Sequence, residues 1–337
     1  MSKARVYISN ADSGDISVLQ LDETCGALST LQTVAAGGLV MPMTVSPDRR
    51  FLYAARRSDP MAVLAFGIDA HSGQLTRLGE APLPASMANI AIDGSGRWLF
   101  SASYGGNLVA VNPIGTDGLP QPAQQVIPTE PKAHAIGSDP SNRFVFATSL
   151  GGGLVMQFRF DATSGRLAPN DPPTLAMSAA SGPRHFAFHP HAPFVYLINE
   201  LDASLDVLAL DRETGTLRPL QTIATLPPGF NGEPWAAELR LTPDGRFLYT
   251  SERRSSTLAA FAVDAGTGRL TALGHVATQT QPRGFAITPS GRYLIAAGQQ
   301  SQRVGVHAIA ATTGALTFVC EHDVGRNPNW VEAIQLP

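Results

Sequence analysis

Short apolar runs recur along the whole chain, each cut by a Pro, Asp or Gly turn, and they recur with a period. "MPMTVSPDRRFLYAAR" begins at Met41, "MANIAIDGSGRWLFSAS" at Met87 and "AHAIGSDPSNRFVFATS" at Ala133. "PRHFAFHPHAPFVYLIN" begins at Pro183, "WAAELRLTPDGRFLYTS" at Trp235 and "PRGFAITPSGRYLIAAG" at Pro282. Anchored on Pro47, Gly94, Pro140, Pro190, Pro243 and Pro289, the spacings are 47, 46, 50, 53 and 46 residues. Each unit reads as a strand, a tight turn and a second strand. A third strand such as "TLAAFAVD" follows, then a D-x-x-x-G-x-L turn such as "DAGTGRL", then a fourth strand.

Four strands in roughly 40–50 residues predict a β-propeller blade. Six complete hairpins are visible, and the chain begins in mid-unit at "RVYISNADSGDISVLQLDETCGALSTLQTV". That stretch supplies strands two to four of a seventh blade, and "NPNWVEAIQL" supplies its missing inner strand. The expected fold is therefore all-β, a seven-bladed β-propeller of four-stranded blades. Residues 1–337 form one domain, and the C-terminal strand joins the N-terminal blade to close the ring. Closure removes the open sheet edges. A strand-rich solenoid or a two-domain sandwich is the weaker alternative.

Composition agrees with a turn-rich β protein: 32 Gly, 26 Pro, 44% apolar and only 15% charged among 337 residues. A net charge of −3 gives no basic field for nucleic acid or an anionic membrane. No run of about 18 apolar residues is present to span a bilayer, and "MSKARVYISN" lacks the apolar stretch of a secretory leader. Cys25 and Cys320 read as two reduced thiols. The expected location is cytoplasmic, and the expected state is a monomer or weak homodimer. No zinc-type spacing occurs.

Within each hairpin, the start of strand one and the end of strand two share a rim, and strand one is innermost. On that rim fall Met41, Asn89, His134, Arg184, His185, Trp235, Arg283 and Trp330 from strand-one entrances. Arg56, Arg57, Tyr104, Glu200, Glu252, Arg253 and Gln299 come from strand-two exits. The opposite rim repeats one Arg in "PDRR", "GSGR", "PSNR", "PDGR" and "PSGR", which reads as blade-to-blade bonding or solvated surface. Architecture does not require the non-repeating polar residues, so they mark a pocket.

The strings "GPRHFAFHP", "INELDASLDVL", "WAAELRLTPDGRFLY", "QTQPRGFAITPSGRYLIAAGQ" and "NPNWV" resemble the bacterial cycloisomerase-2-like lactonase family. The likeness spans essentially the whole chain, and the family's best-known activity is that of 6-phosphogluconolactonase. The chain is more distantly similar to the fungal carboxy-muconate lactonizing enzyme, a seven-bladed propeller. The resemblance implies a catalytic set of His134 in "KAHAIGSDP", Arg184 in "GPRHF", Glu200 in "INELD" and Arg253 in "SERRSS". Asn89 stands where the family often has His, and Phe186 where it has Met. Such wall positions select among substrates.

Lactone hydrolysis needs a water, a base and donors facing the oxyanion. His134 is the expected base, with Glu200 orienting it, replacing it or protonating the leaving oxygen. Arg184 and Arg253 would polarise the carbonyl and hold an anionic substrate. Arg56, His185, Arg283, Asn89, Tyr104, Trp235 and Trp330 are expected to bind substrate. His185, beside Arg184, should face the other side of its strand by alternation. No cofactor is expected. A metal is not expected either, since calcium needs an oxygen cage and this rim offers mainly Arg and His. "LGGGL" at 150–154 lacks the helix of a phosphate loop. "PPGFNGEP" at 227–234 is the longest inserted loop, a flap or a passive insertion. The expected function is hydrolysis of an anionic sugar-acid lactone. The phosphorylated gluconolactone comes first, then other sugar-acid or muconate-type lactones. A non-catalytic binding propeller is the alternative of another class.

Overall fold

The computed structural model describes residues 4–336; residues 1–3 and 337, at the ends of the expected domain, lie outside the described residues. Seven four-stranded antiparallel sheets are present. The innermost strands are Pro328–Gln335 in blade 1, Val40–Val45 in blade 2, Asn89–Ile92 in blade 3 and Ala133–Ser138 in blade 4. Pro183–Phe188, Ala236–Leu241 and Pro282–Ile287 follow in blades 5 to 7. The C-terminal strand pairs antiparallel with Ala4–Asn10, from Ala4 opposite Gln335 to Asn10 opposite Pro328. The expected ring closure is therefore observed.

The core is split into seven layers, one between each pair of consecutive blades. This follows from two-sided burial: the second strand of blade 3, Trp98–Ser103, is buried at every position. Such strands read as continuous apolar runs. Outermost strands touch solvent, and in Leu75–Pro82 only Leu75 and Ala81 are buried.

Repeated polar contacts lock each blade to the next on the turn rim. Tyr7, Tyr53, Tyr196 and Tyr249 donate their hydroxyls to the carbonyls of Gly73, Gly118, Gly268 and Gly314 in the D-x-x-x-G-x-L turn or its equivalent. The recurrent arginines act alike: Arg97 and Arg143 donate to the carbonyls of Ala162 and Arg212, and Arg246 to that of Ala311. These residues hold the ring together, which is why they repeat.

The opposite rim is different. Six of the seven innermost strands carry a register shift near their entrance, at Ser9/Asn10 opposite Asn329, Val40/Met43, Ala133/Ile136, Pro183/His185, Ala236/Leu239 and Pro282/Gly284. A bulge places extra residues against the partner strand and re-aims their side chains. The residues in these bulges include His134, Arg184, Glu238 and Arg283.

Candidate active site

Arg184 and Arg253 meet on one carboxylate. Arg184 Nε donates to Glu200 Oε2 at 2.8 Å, and Arg253 Nη2 donates to the same oxygen at 2.7 Å. Arg184 Nη1 also donates to the Ala237 carbonyl. Arg253 donates to the carbonyls of Trp235 and Ala236, at 3.0 Å each. Its guanidinium carbon lies 3.9 Å over the Trp235 ring. Both arginines are buried, at 1% and 4% exposure. Yet Arg184 Nη2 and Arg253 Nη1 make no hydrogen bond to any described residue, and neither is a sealed atom. Two donors therefore remain for a substrate oxygen.

Burial pulls Arg253 down to about 9, with Arg184 adding to the effect and Glu200 opposing it. Burial would raise Glu200, but the two guanidiniums outweigh it and hold its carboxyl below the usual range. Glu200 is thus an ionised clamp at neutral pH. Its engagement by both guanidiniums favours a holding role over that of proton donor to the leaving oxygen.

His134 is 3% exposed, and its Nδ1 is sealed without a partner. Burial holds it well below the ordinary histidine range, and the charges of Arg184, Arg283 and Arg253 push the same way. Its ring lies 6.0 Å from Tyr104 and 5.0 Å from His185. A neutral imidazole is present at neutral pH, able to accept a proton.

Arg283 is half-buried and has no hydrogen bond or ion pair with any described residue. Its charged surroundings are Arg184, Arg253 and Arg57, with Glu200 the opposing carboxylate. Glu252, behind Arg253, accepts from the Trp235 and Ser255 amides. Even with both carboxylates counted, four guanidiniums leave a surplus of positive charge.

Not every expected residue joins this cluster. Arg56 leaves its strand outward and holds Glu80 with two nitrogens at 3.1 Å each. Arg57, one residue on and pointing the other way, is the one near Arg283. Arg57 donates to Ser86 Oγ at 2.8 Å. Asn89 accepts from the Ile136 amide at 3.1 Å and lines the axial channel. Trp330 lies 5.7 Å from His185 and donates to Glu332 at 2.8 Å, making a floor. Lys132 sits over the Tyr104 ring at 5.5 Å. The 227–234 loop is largely exposed and leads into Trp235.

His185 departs from simple alternation. The bulge at Pro183/His185 lets both it and Arg184 reach blade 6, Arg184 at the Ala237 carbonyl and His185 at Glu238. His185 Nδ1 lies 3.2 Å from Glu238 Oε1, a residue that sequence reading passed over. Below them is a cavity of about 300 Å³, lined by Glu238, Arg240, Glu332 and inner-strand apolar residues. Among the described residues, no three His, Cys, Asp or Glu side chains are grouped so as to hold a metal ion. Among the described residues, no helix is long and apolar enough to cross a membrane.

Comparison with known proteins places this geometry among relatives. The family model described as lactonase, seven-bladed β-propeller, matches residues 5–333. A 6-phosphogluconolactonase of Pectobacterium carotovorum is 43% identical over 332 residues, covering 98% of each chain. One of Serratia proteamaculans is 40% identical over 332 residues, covering 98% of this chain and 99% of that one. The structure of a periplasmic gluconolactonase from Pseudomonas aeruginosa superposes with a TM-score of 0.93 at 28% identity, covering 99% of this chain and 100% of that one.

Proposed function

Because the chain belongs to the seven-bladed β-propeller lactonase family, we propose that it hydrolyses 6-phospho-D-glucono-1,5-lactone to 6-phosphogluconate, a step of the pentose phosphate pathway. The observation that carries the phosphorylated substrate is the unpaired Arg283 within a surplus of guanidinium charge. A half-buried guanidinium crowded by three others and without a carboxylate partner of its own is costly. A phosphate supplies the missing charge, and a guanidinium fork suits its oxygens.

In this reading His134 removes a proton from water as the oxygen attacks the lactone carbonyl carbon. The free nitrogens of Arg184 and Arg253 donate to the oxyanion that develops. Glu200 holds the two guanidiniums in place and stops their mutual repulsion from splaying them. The tetrahedral intermediate collapses, the ring C–O bond breaks, and His134 returns its proton to the ring oxygen. The carboxylic acid product then ionises and releases one proton to solvent. Arg57 and Arg283 grip the phosphate, Tyr104 and Trp235 form walls, and residues 227–234 form a flap.

A phosphorylated substrate resides inside cells, which supports a cytoplasmic location. The large exposed apolar side chains Leu39, Leu78, Val126, Leu201, Leu273, Phe318 and Val319 are spread over five blades, which supports a monomer or weak homodimer.

The test is acid release from phosphorylated and plain gluconolactone, with a no-enzyme control subtracted. Arg283→Ala is expected to raise KM for the phosphorylated lactone at least tenfold, with kcat less affected and the plain lactone little changed. The same variant should melt higher than the parent, because an uncompensated cation has gone. Equal losses on both lactones would remove Arg283 from phosphate binding. No activity on any lactone would favour the binding propeller instead.

Dialysis against EDTA is expected to leave the rate unchanged, since Glu200 and Glu238 are already engaged by cations. Activity lost to EDTA and regained with calcium would overturn the metal-free mechanism.

A further inference from the structure

We propose that Cys25 and Cys320 are a paired modification site, which a disulfide oxidant joins into a cross-link between blade 1 and blade 7. They are the two cysteines of the chain, and each stands where the repeat puts another residue. In "DETCGAL" Cys25 holds the place before the turn glycine, which Ser72, Ser164, Thr214, Thr267 and Thr313 hold in five other blades. There a hydroxyl serves the turn: Ser72, Ser164 and Thr267 donate to the Asp that opens it, at 2.8, 2.6 and 2.7 Å. The turn does not require a thiol.

Cys320 departs from the repeat in the same way. On the outermost strand Leu316–Asp323 it lies opposite Val306. Gln32, Gln125 and Gln221 hold that register position in blades 1, 3 and 5, opposite Val18, Val111 and Val207. Each glutamine reaches the turn of the following blade. It donates to the carbonyl of Leu75, Leu167 or Leu270 at 2.9 Å and accepts the amide of the same leucine. Across the seam from Cys320, the following turn is the one that carries Cys25. Cys320 Sγ lies 3.4 Å from the carbonyl oxygen of Gly26, the residue next to Cys25. Blade 7 also pins that turn through Glu23, whose carbonyl accepts from Tyr293 at 3.4 Å and whose carboxylate accepts from Ser290 at 2.7 Å. The two departures from the repeat thus meet at one place, the seam where the ring closes.

Cys25 is exposed and Cys320 half-buried. Burial pushes the Cys320 thiol up, with the Leu28 main chain opposing and Cys25 adding to the push. Cys25 therefore reacts first. Its thiolate attacks one sulfur of a low-molecular-weight disulfide such as glutathione disulfide, and one glutathione thiolate leaves. The Cys320 thiol then loses its proton to solvent. Its sulfur attacks the Cys25 sulfur, and the second glutathione thiolate leaves. Two protein thiols are oxidised and one glutathione disulfide is reduced. The inner strand of blade 1 closes the seam near the axis, and this bond closes it at the outer edge. The loop it ties spans nearly the whole chain, so it restricts the unfolded state strongly. In a reducing compartment the pair rests as two thiols, and the ring relies on its strand alone.

Glutathione disulfide added to the whole protein, followed by intact mass and peptide mapping without reductant, tests this with no lactone present. The expected product is a monomer lighter by two hydrogens, free of glutathione, in which the Cys25 peptide is joined to the Cys320 peptide. Its melting temperature should rise by roughly 3–8 °C and fall back on reduction. Cys320→Gln gives blade 7 the residue of blades 1, 3 and 5. It should stop at a Cys25–glutathione adduct that melts like the reduced parent. A disulfide needs Cα atoms within roughly 4.4–6.8 Å, and backbones held farther apart would leave that same adduct in the parent. A persistent adduct in the parent, a disulfide-linked dimer or two unreacted thiols would each overturn the proposal. A cross-link that leaves the melting temperature unchanged would overturn its role as a clasp.

Discussion

A chain ending at Arg326 is expected to show no cooperative thermal transition. The missing residues include the whole inner strand of blade 1, which pairs with Ala4–Asn10 along its length. They also include Trp330 and Ile334 of the layer between blades 1 and 2, and Val331 of the layer between blades 7 and 1. Two of the seven layers therefore open at once, and each large apolar side chain removed costs about 3 kcal/mol or more. The edge of Ala4–Asn10 would be left unpaired toward the channel, a template for association. Calorimetry with circular dichroism on the truncated and full chains checks this. A truncated protein that melts like its parent would show that the ring does not need its clasp.

His134→Ala is expected to lower kcat by roughly 10²–10⁴, the usual contribution of a placed acid–base group, while the melting temperature stays close to that of the parent. The imidazole makes no hydrogen bond to a described residue, and its Nδ1 is sealed without one. Its loss strands no partner, so the damage to folding is limited to the space it leaves. KM should change little, since the anion is held by arginines rather than by this ring. Rates must be corrected for spontaneous lactone opening. A folded His134→Ala enzyme with near-normal kcat would pass the role of base to another group, and His185 would be the first to examine.

The ring was legible in the sequence because its cause is periodic. Each blade must present strands buried on both faces, a Pro or Gly turn and a D-x-x-x-G-x-L turn, so the pattern repeats wherever the architecture repeats. The clasp was legible because the first unit lacks a strand and "NPNWVEAIQL" is one in excess. The mouth was legible by subtraction: the offsets that hold Arg184 and Arg283, or Glu200 and Arg253, carry different residues in most blades, unlike the arginine that recurs on the turn rim. What failed was parity. Arg56 and Arg57 are adjacent at a strand exit, and nothing in "AARRSD" says which one turns inward. Alternation sent His185 away from Arg184, whereas a bulge lets both reach blade 6. Glu238 was hidden for a similar reason. In "AAELRL" a lone Glu followed by Leu-Arg-Leu reads as the wet face of a strand, and its partners come from another blade and from its own strand.

The bulges also bear on how such a ring changes its appetite over generations. A residue inside an ordinary ladder is tied to its neighbours, because shifting it turns every later side chain over. A bulged residue is released from that bond. At Met41, His134, Arg184, Ala237, Arg283 and Asn329 a new side chain can be tried while the strand beyond it keeps its register. The ring behaves as a holder with replaceable bits, one to a blade. With His134 and Arg184 kept, new lactone preferences should therefore arise fastest from libraries confined to the other four positions, with few unfolded members among them.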